Sequence, residues 1–171
     1  MWPILKEKFK GLPSQLKVAQ TLLQLGLSIR KGLDGVYQIH CGDIEMSAGQ
    51  VSRAVNVDRR VVIGAVNHIA GDPQLLAFFS DLVPVANLGV SSSKMGLGVI
   101  QIIPELQDRP GIIASALSIV AMRGINVRQV IADDPEMTDK PTAIIVTDRP
   151  IPAELLPEMR KINGVAAVQL M

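Results

Sequence analysis

The chain has 171 residues, of which 48% are hydrophobic and 19% are charged, so it can bury a core and is not expected to be disordered. Aromatic residues make up only 3%, which argues against a surface that binds single-stranded nucleic acid by stacking bases. The 17 Lys and Arg residues nearly balance the 16 Asp and Glu residues, so any contact with nucleic acid requires a local basic patch.

Cysteine and histidine are scarce, which limits the redox and metal chemistry open to the chain. Cys41 is the single cysteine, so an internal disulfide and a cysteine-based zinc site are both excluded. The start of the chain carries charges at Lys6, Glu7 and Lys8, where a signal peptide needs apolar residues. The longest charge-free runs are shorter than the roughly 18 residues of a membrane span. We therefore expect a cytoplasmic protein with no metal, no cofactor and no membrane contact.

The first half of the chain is predicted to be mainly helical. Ser14 is expected to cap a first helix, which passes the basic pair Arg30 and Lys31 and closes at Gly32. Residues 36–40 alternate like a short strand. Three further helices are predicted from Ser47 to Val55, from Asp58 to Ile69, and from Asp72 or Pro73 to Leu82.

Residues 48–69 have the pattern of a helix-turn-helix, with residues 36–39 available as a small wing. Asn56 stands at the turn position that requires a positive φ, which Asn tolerates better than most residues. A recognition helix meets base edges and phosphates with its first turn. The candidate DNA-contacting residues are Arg53, Arg59, Arg60 and Asn67, and the inward-facing residues are Val51, Val55, Val57, Val62 and Ala65.

A second interpretation of the same segment stays open. The helix that follows Asp58 is apolar over much of its circumference between Val61 and Ile69, and such a helix is usually buried. Arginines at a helix N-terminus gain nothing from the helix dipole and often lie there as solvated surface. The helical half would then serve as a dimerisation or protein-docking module.

A polar stretch rich in Ser and Gly, residues 88–96, reads as a linker or exposed loop. Basic residues are in slight excess before it and acidic residues are in slight excess after it. We therefore predict two domains, residues 1–88 and residues 95–171.

The second half is predicted to contain four strands and two helices in the order βαββαβ. The predicted strands are 97–103, 125–132, 142–147 and 165–170, and the predicted helices run to Arg123 and from Pro152 to about Asn163. Along the second strand, alternation places Val127, Gln129 and Ile131 on one face. The fold class is therefore α+β, a helical domain followed by a ferredoxin-like antiparallel sheet with both helices on one face.

The turn Asp108-Arg109-Pro110-Gly111 joins the first of these strands to the first helix. Gly111 lets a ligand approach closely, and Pro110 presets the entry into the helix. The free N–H groups of Ile112 and Ile113 are suited to an anion such as an amino-acid carboxylate, and Asp108 to an ammonium group. An ordinary turn with a helix N-cap is the alternative.

Residues 95–171 resemble an ACT domain, whose usual signature is a strand, then Asp-x-Pro-Gly opening a helix, then a Gly before the second strand. Asp108 to Gly111 and Gly124-Ile125-Asn126-Val127 carry this resemblance. With its helix-turn-helix-like half, the whole chain is similar to archaeal predicted regulators of amino-acid metabolism. The resemblance implies side-by-side pairing of two chains and an amino-acid effector at their interface. It also implies a ligand site made of Asp108, Pro110, Gly111, Ile112 and Ile113, completed from the partner chain by Asn126 and Ala132.

We expect a sensing regulator and not an enzyme. His40 and Cys41 are adjacent on a strand and point to opposite faces, so they form a poor nucleophile–base pair. The four carboxylates between Asp133 and Asp139 lack the spacing of an EF-hand and are expected at a solvated hairpin tip. The expected partners are an amino acid, a second copy of the chain and double-stranded DNA. The alternative is an allosteric regulatory partner of a biosynthetic enzyme, with a helical half that does not bind DNA.

Overall fold

The structure is a computed structural model that describes residues 1–105 and 109–171. The chain divides into two compact units, Met1–Ala86 and Asn87–Met171. Within the described ranges, no helix has both the length and the apolar character needed to cross a membrane.

The N-terminal unit consists of five helices and a small antiparallel sheet. The sheet has the order β1-β2-β3, with strands β1 (Ser28–Lys31), β2 (Tyr37–Cys41) and β3 (Ile44–Met46). The helices are α1 (Trp2–Lys8), α2 (Pro13–Gln24), α3 (Ala48–Val55), α4 (Arg59–Gly71) and α5 (Pro73–Ser80). Fully buried side chains from α2, α4, α5 and β1, among them Leu22, Ile69, Phe79 and Ile29, form the core.

The prediction for the first long helix was wrong at both ends. Helix α2 begins at Pro13 after the N-cap Leu12, and it ends at Gln24 because Gly26 adopts a left-handed backbone with φ of 64°. A Cβ atom at Gly26 would lie 2.3 Å from the carbonyl oxygen of Val83, so the close approach of these two backbones also requires glycine. Residues 28–31, predicted as helix, form β1 and pair with β2.

Three of the predicted helix starts are confirmed, each by a side-chain cap. Ser47 accepts a hydrogen bond from the N–H of Gln50 and forms a capping box with it at the start of α3. The side chain of Asp58 accepts from the N–H of Arg60 at the start of α4, and that of Asp72 accepts from the N–H groups of Gln74 and Leu75 at the start of α5. Between α3 and α4, Asn56 has a φ of 56°, and it is the only non-glycine residue with a positive φ in the described part of the chain.

The C-terminal unit holds a four-stranded antiparallel sheet of order β5-β6-β4-β7. Its elements are α6 (Gly89–Ser93), β4 (Gly98–Pro104), α7 (Ile112–Met122), β5 (Val127–Ala132), β6 (Ala143–Thr147), α8 (Leu155–Arg160) and β7 (Val165–Leu170). After α6, the sequence βαββαβ is consistent with a ferredoxin-like fold, and α7 and α8 pack into one core with the strands. That core includes Ile100, Ile102, Ala116, Val120, Ile145, Leu155 and Met159.

Two expectations for this unit are corrected. The stretch 88–96 is not simply a linker, because α6 packs against β4 and β6 and the hydroxyl of Ser92 is buried and donates to the carbonyl of Leu88. Strand β5 does not alternate strictly, because its register with β6 shifts between Val127 and Gln129. The extra residue turns Val127 to the opposite face from Gln129, contrary to the prediction that both share one face.

Candidate ligand-binding site

A pocket of about 340 Å³ lies at the start of α7, and we call it the α7 pocket. The end of β4, the first turn of α7 and the base of the β5–β6 hairpin form its walls. Its lining residues are Ile102, Pro104, Arg109, Pro110, Gly111, Ile112, Ile113, Ala114, Ala132, Asp133, Pro135, Pro141, Thr142 and Ala143. The volume is within the range of small-molecule sites, roughly 300–1,000 Å³.

Five of the residues predicted for a ligand site line this pocket together: Pro110, Gly111, Ile112, Ile113 and Ala132. Ala132 lies in the pocket of its own chain, whereas we expected it to be contributed by a partner. Asn126 does not line the pocket, since it precedes β5 at the end of the strand opposite to Ala132. Asp108, predicted to bind an ammonium group, lies outside the described residues.

The N-terminus of α7 is open at the pocket. Gly111 is the N-cap with a φ of 92°, and no side chain caps this helix within the described residues. A Cβ atom at Gly111 would meet nothing within 4 Å, so glycine is favoured here by the backbone conformation and not by lack of space. The first N–H groups of a helix have no partner inside the helix, which leaves those of Ile112 and Ile113 as donors at the pocket wall.

The floor of the α7 pocket is apolar and belongs to the core of the unit. Ile102 is 1% exposed, and Ile112 and Ala143 are each 8% exposed. Four prolines and further small or aliphatic residues complete the apolar lining. A ligand group placed on this floor therefore meets hydrocarbon.

Three polar side chains lie among the described lining residues: Arg109, Asp133 and Thr142. The Oδ2 atom of Asp133 accepts hydrogen bonds from the backbone N–H of Thr142 at 2.9 Å and from its hydroxyl at 3.0 Å. Neither residue was predicted for the site, because Asp133 was expected in a solvated hairpin loop and Thr142 at the start of a strand. Asp133 directly follows β5 and Thr142 directly precedes β6, so the pairing of these two strands brings both residues to the base of the hairpin.

Asn126 has a structural role at the other end of β5. Its side-chain amide donates to the carboxylate of Asp148 at 2.8 Å, and its backbone N–H donates to the same group. The hydrogen bond from the Asn126 side chain is the main cause that lowers the pKa of Asp148, with smaller contributions from Arg149 and Arg128. This pair ties the turn before β5 to the end of β6.

A second surface, on α4 of the N-terminal unit, holds the candidate DNA-contacting residues. Helix α4 buries Val62, Ala65, Val66 and Ile69, so it is buried along one stripe and not around its circumference. The opposite stripe is exposed and carries Arg59, Arg60, Ile63 and Asn67, while Arg53 is exposed on α3. No ion pair within residues 1–105 and 109–171 involves these three arginines.

Part of this stripe lines a groove of about 320 Å³ between α4 and the β2–β3 hairpin, which we call the α4 groove. Its α4 wall is formed by Arg59, Ile63, Val66 and Asn67, whereas Arg53 and Arg60 do not line the groove. The opposite wall includes Val36, Tyr37, Gln38, Ile39, Glu45 and Met46. The structure therefore divides the four predicted DNA-contacting residues into two that line a concave surface and two that do not.

Comparison with known proteins identifies the C-terminal unit. Residues 100–164 match the family model of the ACT domain, so the chain contains an ACT domain there. A similar solved structure is the ACT domain from GTP pyrophosphokinase of Chlorobium tepidum, with 20% identity, coverage of 44% of this chain and 96% of that chain, and a TM-score of 0.34. No match is found among curated proteins. An ACT domain indicates a regulatory role that involves a small molecule, and ACT domains often dimerise.

Proposed function

We propose that this protein is a cytoplasmic regulator of amino-acid metabolism that binds an amino acid in the α7 pocket. Residues 95–171 act as the sensing domain and residues 1–88 as the output domain, as in the archaeal regulators that the sequence resembles. The observation that carries the proposal is the grouping of Pro110, Gly111, Ile112, Ile113 and Ala132 around one pocket inside a chain segment that matches the ACT family. The chain acts as a regulator and not as an enzyme.

In this proposal, the ligand carboxylate binds at the open N-terminus of α7, where the N–H groups of Ile112 and Ile113 have no partner within the helix. Asp108 and, from a second copy of the chain, Asn126 complete the site. Two chains pair through their ACT domains, and the ligand lies at or near the interface. A ligand in that position biases the arrangement of the two chains only if it binds one arrangement more tightly than another.

The output we propose is binding of double-stranded DNA by Arg53, Arg59, Arg60 and Asn67. Its support is that all four side chains are exposed, and that α4 follows α3 after a tight turn at Asn56. The three arginines make no ion pairs within the described residues, so their charge is available to phosphates. A coupling between ligand and DNA of about 1–3 kcal/mol would give a useful response.

A second candidate output is docking of a biosynthetic enzyme. The α4 groove favours it, because the groove is concave and presents exposed apolar residues, Ile63 at 42% and Val36 at 57% exposure. The two outputs differ in their response to salt. Binding to DNA weakens steeply as salt rises because counterions are released, whereas an apolar docking contact changes little.

The test is retention of the purified chain on immobilised duplex DNA between about 50 and 200 mM salt, with and without a mixture of the amino acids. The proposal predicts retention that falls steeply with salt, changes when the amino acids are added, and is lost in the Arg59→Ala, Arg60→Ala double variant. Retention that is absent in all conditions, or unchanged in the double variant, would contradict a DNA output. In that outcome the docking of an enzyme through the α4 groove becomes the leading account.

A further inference from the structure

We infer that the α7 pocket selects an amino acid with an aliphatic side chain, and that Asp133 holds its ammonium group. This inference rests on the proposed function, because it names the class of ligand and a specificity-determining residue of the same site.

The aliphatic preference follows from the floor of the pocket. Ile102, Ile112 and Ala143 are nearly inaccessible to solvent, and they offer no side-chain hydrogen-bond partner. A hydroxyl, amide or charged group placed against them would lose its hydrogen bonds to water without replacement, which disfavours its binding. A branched hydrocarbon side chain meets no such cost and gains from burial.

The assignment of Asp133 follows from its position and its hydrogen bonds. Asp133 carries the only acidic side chain among the described lining residues, and the base of the hairpin fixes its orientation because Oδ2 is bound twice by Thr142. In addition, the backbone N–H of Asp133 donates to the carbonyl of Thr142 at 2.9 Å. Its other carboxylate oxygen, Oδ1, accepts no hydrogen bond from the described residues and remains available to a ligand.

The charges around the pocket match those of a free amino acid. Arg109 and the N-terminus of α7 provide the positive side, and Asp133 provides the negative side on the hairpin wall. A ligand with a carboxylate and an ammonium group can satisfy both sides while its side chain lies on the apolar floor. A simple anion satisfies only one of them.

The experiment compares leucine with 4-methylpentanoate, which has the same carboxylate and side chain but no amine. Isothermal titration calorimetry measures both ligands on the wild-type chain and on Asp133→Asn, which keeps an oxygen to accept from Thr142. We expect the wild type to prefer leucine, and Asp133→Asn to weaken leucine binding by about tenfold to a hundredfold, as for loss of a charge-assisted hydrogen bond. The affinity for 4-methylpentanoate should not fall, because this ligand has no ammonium group for Asp133 to hold.

Asp134→Asn is the matched control, since Asp134 is the neighbouring exposed carboxylate, accepts from the N–H of Glu136 and does not line the pocket. This variant should bind leucine as the wild type does. If Asp133→Asn and Asp134→Asn bind leucine equally well, Asp133 does not hold the ammonium group. Loss of the preference for leucine in Asp108→Asn alone would transfer that role to Asp108.

A parallel titration with valine, serine, glutamine and aspartate tests the aliphatic class. Binding of valine and leucine but not of the three polar amino acids supports the inference. Tighter binding of serine, glutamine or aspartate would overturn the inference but leave the proposed function standing. Failure of every amino acid to bind would overturn both.

Discussion

Gly164 lies directly beside the side chain of Arg109, because a Cβ atom built at Gly164 would lie 2.5 Å from the Cδ atom of Arg109 and 3.3 Å from Cδ1 of Ile112. The turn between α8 and β7, which contains Gly164, therefore supports the arginine at the rim of the α7 pocket. Gly164 also has a φ of 93°, so it is the natural residue for this turn on both grounds. Residues distant in sequence thus set the position of the one basic side chain found among the described lining residues.

Gly164→Ala should weaken binding of an amino acid to the α7 pocket, because the new methyl group displaces Arg109. Gly124→Ala is the control, since Gly124 also has a positive φ of 64° but its Cβ would approach only the guanidinium of Arg149, at 3.9 Å. Both variants should lose stability through backbone strain, of the order of 1–2 kcal/mol. Calorimetric titration should show reduced affinity in Gly164→Ala only, and equal affinities would refute a role for this contact.

Replacing Arg59 by Ala should lower the salt dependence of DNA retention. Each phosphate contact that is removed reduces the slope of log affinity against log salt by about 1. The same substitution at Arg30, which pairs with Asp43 at 3.4 Å, serves as a control for loss of one positive charge elsewhere on the unit. An identical slope for both variants would show that α4 does not make the contact.

Asp148 should contribute to stability in a pH-dependent way. The hydrogen bond from the Asn126 side chain lowers the pKa of Asp148 below its ordinary value of 3.8, so folding favours the ionised form. The contribution is fully present above that value and is lost as the pH falls through the lowered pKa. Asn126→Ala removes the hydrogen bond and should reduce stability at neutral pH more than in strong acid. Urea unfolding of the wild type and of Asn126→Ala, from neutral pH to strong acid, measures the loss of stability at each pH. An equal loss at every pH would contradict the assigned cause.

Gly26→Ala should destabilise the N-terminal unit more than Gly42→Ala. Both glycines have positive φ, at 64° and 59°, so both alanines incur roughly 1–2 kcal/mol of backbone strain. Only at Gly26 does the added Cβ also collide with a backbone, that of Val83, whereas at Gly42 nothing lies within 4 Å. Thermal unfolding of the two variants compares them directly, and equal losses would show that the approach of Val83 relaxes without cost.

Much of the fold could be predicted because local rules govern it. Ser47, Asp58 and Asp72 are side chains that cap helices, and each marks the start of a helix in the structure. The order of strands and helices after residue 97 also follows from alternation and turn residues alone. The first helix was overextended because its end was assigned to Gly32, whereas Gly26, with a positive φ of 64°, already ends it.

The candidate site could be predicted only in part, because local sequence groups some of its residues and strand pairing brings in the others. Pro110, Gly111, Ile112 and Ile113 lie together in one turn, so their grouping is a local property of the sequence. Asp133 joins them only because β5 and β6 bring the base of their hairpin against α7, and no local pattern signals this. The bulge in β5 is likewise a property of pairing with β6, which alternation along one strand does not reveal.

The most direct test of the account is thermal unfolding of the purified chain against each amino acid in turn. A ligand present at 100 times its dissociation constant adds about 2.7 kcal/mol to the free energy of unfolding, which raises the midpoint measurably. We predict that aliphatic amino acids raise the midpoint of the wild type. Ala132→Leu, which fills the pocket from an exposed position on β5, should abolish the effect. Val130→Leu is the control, because Val130 is exposed on the same strand but does not line the pocket, and this variant should respond as the wild type does. If no amino acid raises the midpoint, or if Ala132→Leu responds as the wild type does, the α7 pocket is not an amino-acid site.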